Sequence, residues 1–341
     1  MKSLSRRKFI KQGGIMASAF IFPLSFHSIL NKKDMSDKKH FDVIIIGGSY
    51  SGLAAAMTLG RAMRKVMIID SEKPCNRQTP YSHNFLTQDG KKPMEIATLA
   101  KQQVLIYDTV EFFNDLATKA IKTDNGFEVQ TSSGYIFTAS KLIFATGIKD
   151  EMPNIEGFSE CWGISVLHCP YCHGYEVRNK TTGILGNGEY GFEFSKLISN
   201  LTKDLKLFTN GKSILTAEQS AILERRHINI VEKEIGELEH INGQLQNIIF
   251  KDGSKNNTDA LYTRLPFEQH CKIPEQFGCE LTEDGYIKID ATHETTINGV
   301  FACGDNVTRM RTVANAVSMG TTTGMMVNKL LVEEKFTLNS K

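Results

Sequence analysis

The sequence predicts an α/β fold that contains two units of similar design. Each unit has a glycine-rich turn, at 47–52 and at 186–191, between an apolar run typical of a buried strand and a helix. Many other short apolar runs, with 27 Gly and only 8 Pro in 341 residues, suit tight strand-to-helix turns. The chain is long enough for two domains with separate cores. Both units are therefore expected to be Rossmann-like.

The first unit has the order of elements that a dinucleotide site requires. A β-branched run at 41–46 predicts a strand, the glycine turn follows directly, and a helix at 53–64 leads to a strand at 65–70. Asp70 ends that strand, where an acid can bind a ribose hydroxyl. Free N–H groups at the helix N-terminus would bind a pyrophosphate. Ser49 replaces the middle glycine of the usual pattern, and its small side chain still permits close approach.

The remainder of the first unit mixes helix and strands. Its pattern predicts a helix at 93–105 and a strand at 110–113. Turn residues then separate three further strands, at 127–131, 135–139 and 141–146. This segment ends with the small residues Ala145-Thr146-Gly147.

The second unit carries a complete Gly-x-Gly-x-x-Gly turn but lacks the residue that usually selects a nucleotide. Gly186, Gly188 and Gly191 form this turn between a strand at 182–185 and a helix at 192–200. The next strand, at 205–208, ends in Thr209-Asn210-Gly211, so the acid or arginine that usually binds a ribose 2′-hydroxyl or 2′-phosphate is missing. Later patterns predict a helix at 217–225, a strand at 228–231 and a hairpin formed by 244–250 and 260–262.

A cysteine pair of redox type lies between the two units. Cys169 and Cys172 occur in His168-Cys169-Pro170-Tyr171-Cys172-His173, and a pair with this spacing can open and close as a disulfide. Cys-x-x-Cys is also half of a zinc site, but that site needs a second pair, and the other cysteines are isolated. The pair is therefore predicted to be redox-active, with no metal site.

One more strand-to-helix junction follows near the C-terminus. The run 299–305 predicts a strand that ends in Gly304-Asp305, and a helix with small residues follows at 312–331. Such a junction would turn Asp305 toward a bound ligand.

The N-terminal segment resembles a twin-arginine export signal. Arg6-Arg7 and a following Phe-Ile-Lys precede an uncharged, mostly apolar run at 13–30, and a polar linker extends to residue 39. A short anchor or a disordered basic tail is the alternative. We expect a periplasmic protein, tethered to the membrane if the signal is not cleaved, which cell fractionation would test. The net charge of +2 gives no indication of a nucleic-acid partner.

Together, these motifs resemble the low-molecular-weight thioredoxin reductase family of FAD-dependent pyridine nucleotide-disulfide oxidoreductases. The similarity spans about 41–332, and the Cys-Pro-Tyr-Cys-His-Gly-Tyr-Glu segment is nearest the FAD-dependent dithiol oxidases, which close disulfides in small molecules. The resemblance implies two Rossmann-like three-layer domains, with the second inserted into the first. The FAD-binding domain would comprise 41–149 plus 263–335, and the inserted NAD(P)-binding-like domain would comprise 150–262 and carry the cysteine pair.

The resemblance also implies the roles of individual residues. One of Cys169 and Cys172 would attack the substrate, while the other faces the flavin. Either His173, which stands where the reductases carry an acid, or His168 would move the proton, because imidazole titrates near neutral pH. Gly186, Gly188 and Gly191 remain a candidate nucleotide site. The FAD-binding residues would be Gly47, Gly48, Ser49, Ser51, Gly52, Asp70, Ala145, Thr146, Gly147, Gly304, Asp305, Thr312 and Val313.

Two departures from the reductases favour dithiol oxidation and make NAD(P)H a doubtful cofactor. Those that use NADPH carry His-Arg-Arg where this chain has Thr209-Asn210-Gly211, so the guanidinium clamp for a 2′-phosphate is missing. Export would also take the protein away from soluble NADPH. We therefore expect a small dithiol or a thioredoxin-like protein to reduce the pair. An NAD(P)H-dependent disulfide reductase and a flavin-bound redox sensor or electron-transfer partner are the alternatives, and the resemblance implies a homodimer.

Overall fold

The computed structural model describes residues 39–338. The predicted export signal and nearly all of the linker lie outside the described residues. Within residues 39–338, no helix combines the length and the apolar character needed to cross a bilayer.

The described chain alternates strands and helices along most of its length. The strands are β1 (His40–Ile46), β2 (Val66–Asp70), β3 (Val110–Asn114), β4 (Ala117–Thr123), β5 (Gly126–Thr131), β6 (Ile136–Phe144), β7 (Ile148–Asp150), β8 (Val166–Leu167), β9 (Thr182–Leu185), β10 (Leu205–Phe208), β11 (Asn229–Val231), β12 (Ile235–Ile241), β13 (Gln244–Phe250), β14 (Lys255–Asn257), β15 (Ala260–Thr263), β16 (Phe267–Gln269) and β17 (Val300–Ala302). The helices are α1 (Tyr50–Arg61), α2 (Pro93–Val104), α3 (Phe158–Cys161), α4 (Pro170–His173), α5 (Gly188–Ile198), α6 (Ala217–Arg225), α7 (Ile273–Gln276) and α8 (Val313–Leu338).

The first sheet is a parallel sheet extended by an antiparallel meander. Its strand order is β3-β2-β1-β6-β5-β4, and β17 also pairs with β6. β1, β2, β3, β17 and the C-terminal half of β6 run parallel, whereas β4 and β5 are antiparallel to their neighbours. Apolar residues of α1 and α8, such as Leu59 and Val327, bury one face of the sheet. The meander, which continues from the parallel part of the sheet through the long strand β6, contributes residues such as Phe127 and Val129 to the core on the other face. This gives three layers.

The second sheet repeats this design. Its order is β11-β10-β9-β15-β8, and every pair in it is parallel. Residues of α5 and α6 pack on one face, and the antiparallel sheet β12-β13-β14 packs on the other. In sequence, all of its strands lie between β6 and β17 of the first sheet, so the second unit is an insertion. The chain passes between the two sheets through the antiparallel strands β7 and β16. The predicted α/β fold with two Rossmann-like three-layer units is confirmed, while the domain boundaries themselves stay a prediction.

Some local predictions are wrong. The segments 135–139 and 141–146 belong to one strand, β6, because its first half pairs with β5 and its second half with β1 without a turn between them. The segment 260–262 forms no hairpin with β13. It lies in β15, a fully buried strand between β9 and β8, whereas β13 pairs with β12 and β14. Helices α1 and α5 each begin earlier than predicted, inside their glycine turns.

Candidate functional site

The first glycine turn brings three segments into direct backbone contact. Gly47 has a φ of +103°, and a Cβ there would lie 2.3 Å from the carbonyl oxygen of Ala145. A Cβ on Gly52 would lie 1.9 Å from the carbonyl oxygen of Gly47. Contacts this close are open only to glycine. The end of β1, the start of α1 and the loop after β6 therefore form one tight cradle.

Asp70 is fixed at the edge of this cradle. Its Oδ1 accepts a hydrogen bond from the Gly48 N–H at 2.8 Å, and its Oδ2 accepts one from the Glu72 N–H at 2.9 Å. Ser49 precedes α1 with extended backbone angles and makes no side-chain capping bond. The helix N-terminus and an acid at the end of β2 thus take the positions that a dinucleotide's pyrophosphate and ribose need.

A cavity of about 1150 Å³ extends from this cradle to the cysteine pair. This volume slightly exceeds the usual size range of ligand sites, as a long cofactor requires. Gly52 and Gly304 shape it without lining it, and Gly304 packs against Ser51. The predicted residues that line it are Gly47, Gly48, Ser49, Ser51, Asp70, Ala145, Thr146, Gly147, His168, Cys172, His173, Asp305, Thr312 and Val313.

Several buried polar atoms at this cavity have no hydrogen-bond partner among the described residues. They are Thr146 Oγ1, His168 Nε2 and Arg311 Nε. Because buried polar groups are nearly always paired in folded proteins, unpaired atoms on a cavity wall indicate a polar ligand. The cavity therefore has both the shape and the polarity that a bound dinucleotide would use.

The cysteine pair lies at one end of the cavity. Cys169 and Cys172 form a disulfide, and their Cα atoms are 5.3 Å apart. Cys169 precedes α4 and is only 8% exposed, and its Sγ accepts a hydrogen bond from the Cys172 N–H at 3.1 Å. Cys172 lines the cavity, whereas Cys169 does not. Within residues 39–338, no cluster of three or more His, Cys, Asp or Glu side chains is arranged to hold a metal ion.

Burial keeps both neighbouring histidines neutral. Burial lowers the pKa of His168 to about 4, and the charge of Arg311 acts in the same direction. Burial also lowers the pKa of His173 to about 4, with a further contribution from His83. A neutral imidazole has a free nitrogen that can accept a proton. Both histidines are therefore able to act as bases at neutral pH, and both line the cavity beside Cys172.

Charged residues that the sequence did not single out complete the cavity wall. The two Nη atoms of Arg311 donate to the two carboxylate oxygens of Asp150, each at 2.8 Å. Burial raises the pKa of Asp305 to about 6, while the charge of Arg311 opposes this shift. His83 Nε2 lies 3.6 Å from Glu176 Oε1. Asp150 and Arg311 lie near predicted cofactor residues in the sequence, which is a weak indication that they belong to the site. No motif in the sequence includes His83.

The second glycine turn is closed by the chain itself. Asn187 Oδ1 accepts hydrogen bonds from the N–H groups of Gly188 and Ile214, at 2.8 and 2.9 Å. Asn187 Nδ2 also donates to the carbonyl oxygen of Lys212. The Ile214 side chain lies 3.1 Å from where a Cβ of Gly188 would be. The loop after β10 thus lies against the N-terminus of α5, which is the position where Rossmann-like units bind a nucleotide pyrophosphate.

Comparison with known proteins identifies the family. The sequence model for the pyridine nucleotide-disulphide oxidoreductases matches residues 41–320. The chain belongs to this family. It is an FAD-dependent oxidoreductase that acts on sulfur groups, as the family resemblance in its sequence implied.

Relatives of this oxidoreductase cover nearly all of its described length. It is 32% identical to the thioredoxin reductase tcpT of Claviceps purpurea over 88% of its own chain and 97% of the relative. It is 30% identical to the thioredoxin reductase aclD of Aspergillus oryzae, over 86% and 98%. Among solved structures, an oxidoreductase from Agrobacterium tumefaciens matches with 34% identity and a TM-score of 0.81, over 86% and 99%.

Proposed function

We propose that this protein is a dithiol oxidase, in which a small dithiol or a thioredoxin-like protein reduces Cys169–Cys172 and the pair then reduces the flavin. The closed second glycine turn carries this proposal. Asn187 and Ile214 occupy the N-terminus of α5, and no arginine follows β10 to bind a 2′-phosphate. A nicotinamide dinucleotide would have to displace this loop to reach the helix N-terminus, which favours entry of the electrons through the thiols. The predicted export signal supports the same direction.

The proposed reaction starts with thiol–disulfide exchange. A substrate thiolate attacks one sulfur of the pair, the Cys169–Cys172 bond breaks, and a mixed disulfide forms. The second substrate thiol then displaces the cysteine, which leaves an oxidised substrate and two cysteine thiols. Because Cys172 lines the cavity, we assign it to the flavin side and Cys169 to the substrate side. Re-forming the Cys169–Cys172 bond releases two electrons and two protons.

The chain supplies position and proton acceptors for this reaction. FAD bound in this cavity would supply a two-electron acceptor for the pair, with oxygen or another oxidant as the final acceptor. The cradle around Gly47 and Asp70 would hold its dinucleotide part, and Asp305 its ribityl chain. His173, next to Cys172, would accept a thiol proton, and His168 is the second candidate.

Anaerobic mixing with reductants tests the direction of electron flow. We expect excess NADPH or NADH to leave the flavin absorbance unchanged, whereas dithiothreitol bleaches it. Repeated turnover of dithiothreitol in air would also distinguish an enzyme from a redox sensor. Rapid bleaching by either nucleotide at low concentration would contradict the proposal and favour the NAD(P)H-dependent reductase.

A histidine substitution tests the proton acceptor. His173→Gln should slow dithiol oxidation about a hundredfold, since general base catalysis typically contributes that much or more. His168→Gln is the matched variant. If only His168→Gln slows the reaction, His168 is the base, and if neither variant does, neither histidine accepts the proton.

The two histidines also predict how stability depends on pH. In the folded protein they bind protons only near pH 4, whereas in the unfolded chain they bind them below about pH 6.5. The free energy of unfolding should therefore fall as the pH decreases from 6.5 toward 4.

A further inference from the structure

Arg311 makes a rigid, buried contact with the segment that links the two sheets. It precedes α8, and its guanidinium binds both oxygens of Asp150 at 2.8 Å. The exposed fractions of the two side chains are 14% and 8%. Asp150 ends β7, and it is paired with Phe267 of β16, so this contact lies where the chain passes between the sheets. A two-bond guanidinium–carboxylate contact fixes orientation as well as distance.

The same residue also reaches the cysteine segment and the cofactor acid. His168, which precedes Cys169, lines the same cavity as Arg311, and the charge of Arg311 contributes to lowering the pKa of its imidazole. Arg311 Nε lies 3.8 Å from Asp305 Oδ2. Arg311 thus contacts both the linking strand and the predicted ribityl-binding acid, and it shares the cavity wall with the residue that precedes the cysteine pair.

We propose that Arg311 is a positioning residue that holds the cysteine segment against the FAD cavity by fixing Asp150 at the end of the linking strand β7. Neither Arg311 nor Asp150 can easily leave this contact, because a buried charge without its counterion is strongly unfavourable. Cys172 is thereby kept at the cavity while it exchanges electrons with the flavin. This role is the same whether electrons enter through the thiols or through another donor, so it does not depend on the proposed direction.

A positioning role for Arg311 and a purely electrostatic role predict different effects of replacing it. Asp150 already neutralises the guanidinium, and Asp305 lies at ion-pair distance on its other side. A residue that acted by its charge on the flavin would change the flavin reduction potential when replaced. A residue that positions the cysteine pair would instead change the rate between the pair and the flavin.

The test uses the FAD-loaded enzyme and anaerobic rapid mixing with dithiothreitol. Arg311→Lys keeps the charge but loses the two-bond contact, and Asp150→Asn keeps the shape but weakens the same contact. We expect each to lower the limiting rate of flavin bleaching at least tenfold, with the half-saturating dithiothreitol concentration unchanged. The double variant should be no slower than the slower single variant, because both remove one contact.

A second measurement and a control decide between the interpretations. The flavin potential, measured with reference dyes, should shift by less than about 30 mV, which corresponds to a tenfold change in a two-electron equilibrium. The control is Glu268→Gln, which weakens an exposed ion pair with Lys149 between the same strands β7 and β16 and should leave the rate unchanged, because Glu268 lies outside the cavity wall. Wild-type bleaching rates in both Arg311→Lys and Asp150→Asn would overturn the proposal, as would a potential shift large enough to explain the slowing. Bleaching by NADPH would refute the dithiol direction without affecting this result.

Discussion

Cys172→Ser should lower the rate of dithiol oxidation by about a thousandfold or more, while the variant still binds FAD. Both sulfurs are needed, because two electrons leave the thiols only when a disulfide forms between them. The side chain lines the cavity, next to His173 and away from the glycine cradle, so serine at this position should not disturb the dinucleotide part of the site. Turnover of dithiothreitol and the flavin absorbance spectrum are the two measurements.

The matched control for this variant is another cysteine. Cys279 is buried, with its Sγ 3.5 Å from Thr295 Oγ1, and it lies outside the cavity wall. Cys279→Ala should keep the wild-type turnover. If Cys172→Ser retained full turnover, the pair would not be the route to the flavin, and the assigned chemistry would be wrong.

The cofactor cradle was predictable because its signals are local. The strand, the turn at Gly47 and Gly52 and the acid Asp70 lie within thirty residues of one another, and each has a steric or hydrogen-bonding reason to be where it is. The cysteine pair could likewise be predicted from its spacing alone. Asp305 could be placed because a short buried strand ends three residues before it.

Long-range contacts were not predictable, because the periodicity of a sequence predicts local elements and not which distant side chains meet. Arg311 and Asp150 are 161 positions apart, and only the fold brings them together. The closure of the second turn depends on how the loop after β10 folds back onto Asn187, although its three glycines match the nucleotide-binding pattern completely. The sequence showed that an arginine was missing there. The structure adds that the loop after β10 is hydrogen-bonded to Asn187 at the start of α5.

The two glycine turns show that one motif can serve two purposes. In the second turn, glycine is retained at Gly191, where a Cβ would lie 3.1 Å from the backbone of Gly186, so helix packing alone explains it. In the first turn, the same close packing borders the large cavity, and the peptide N–H of Gly48 orients Asp70. Glycine spacing therefore indicates the fold in both units, and the contacts around each turn indicate which one binds a nucleotide.

Gly52→Ala should weaken FAD binding at least a hundredfold, equivalent to about 2.7 kcal/mol. The new Cβ would lie 1.9 Å from the Gly47 carbonyl oxygen, and backbone on both sides cannot yield as a flexible side chain does. Helix α1 must therefore move away from β1, which displaces the N–H groups that would bind the pyrophosphate. Titration of the apoprotein with FAD, followed by flavin fluorescence, measures the loss.

A glycine in open surroundings provides the control for this substitution. Gly236 in β12 has an ordinary φ, and a Cβ there would meet its nearest neighbours at 3.7 Å, which is normal van der Waals contact. Gly236→Ala should bind FAD as the wild type does. Circular dichroism of both apoproteins checks that each variant is folded, since overpacking of this kind also costs about 1–3 kcal/mol of stability. Wild-type affinity in a folded Gly52→Ala variant would mean that the first glycine turn does not hold the cofactor, and the FAD site would have to be placed elsewhere.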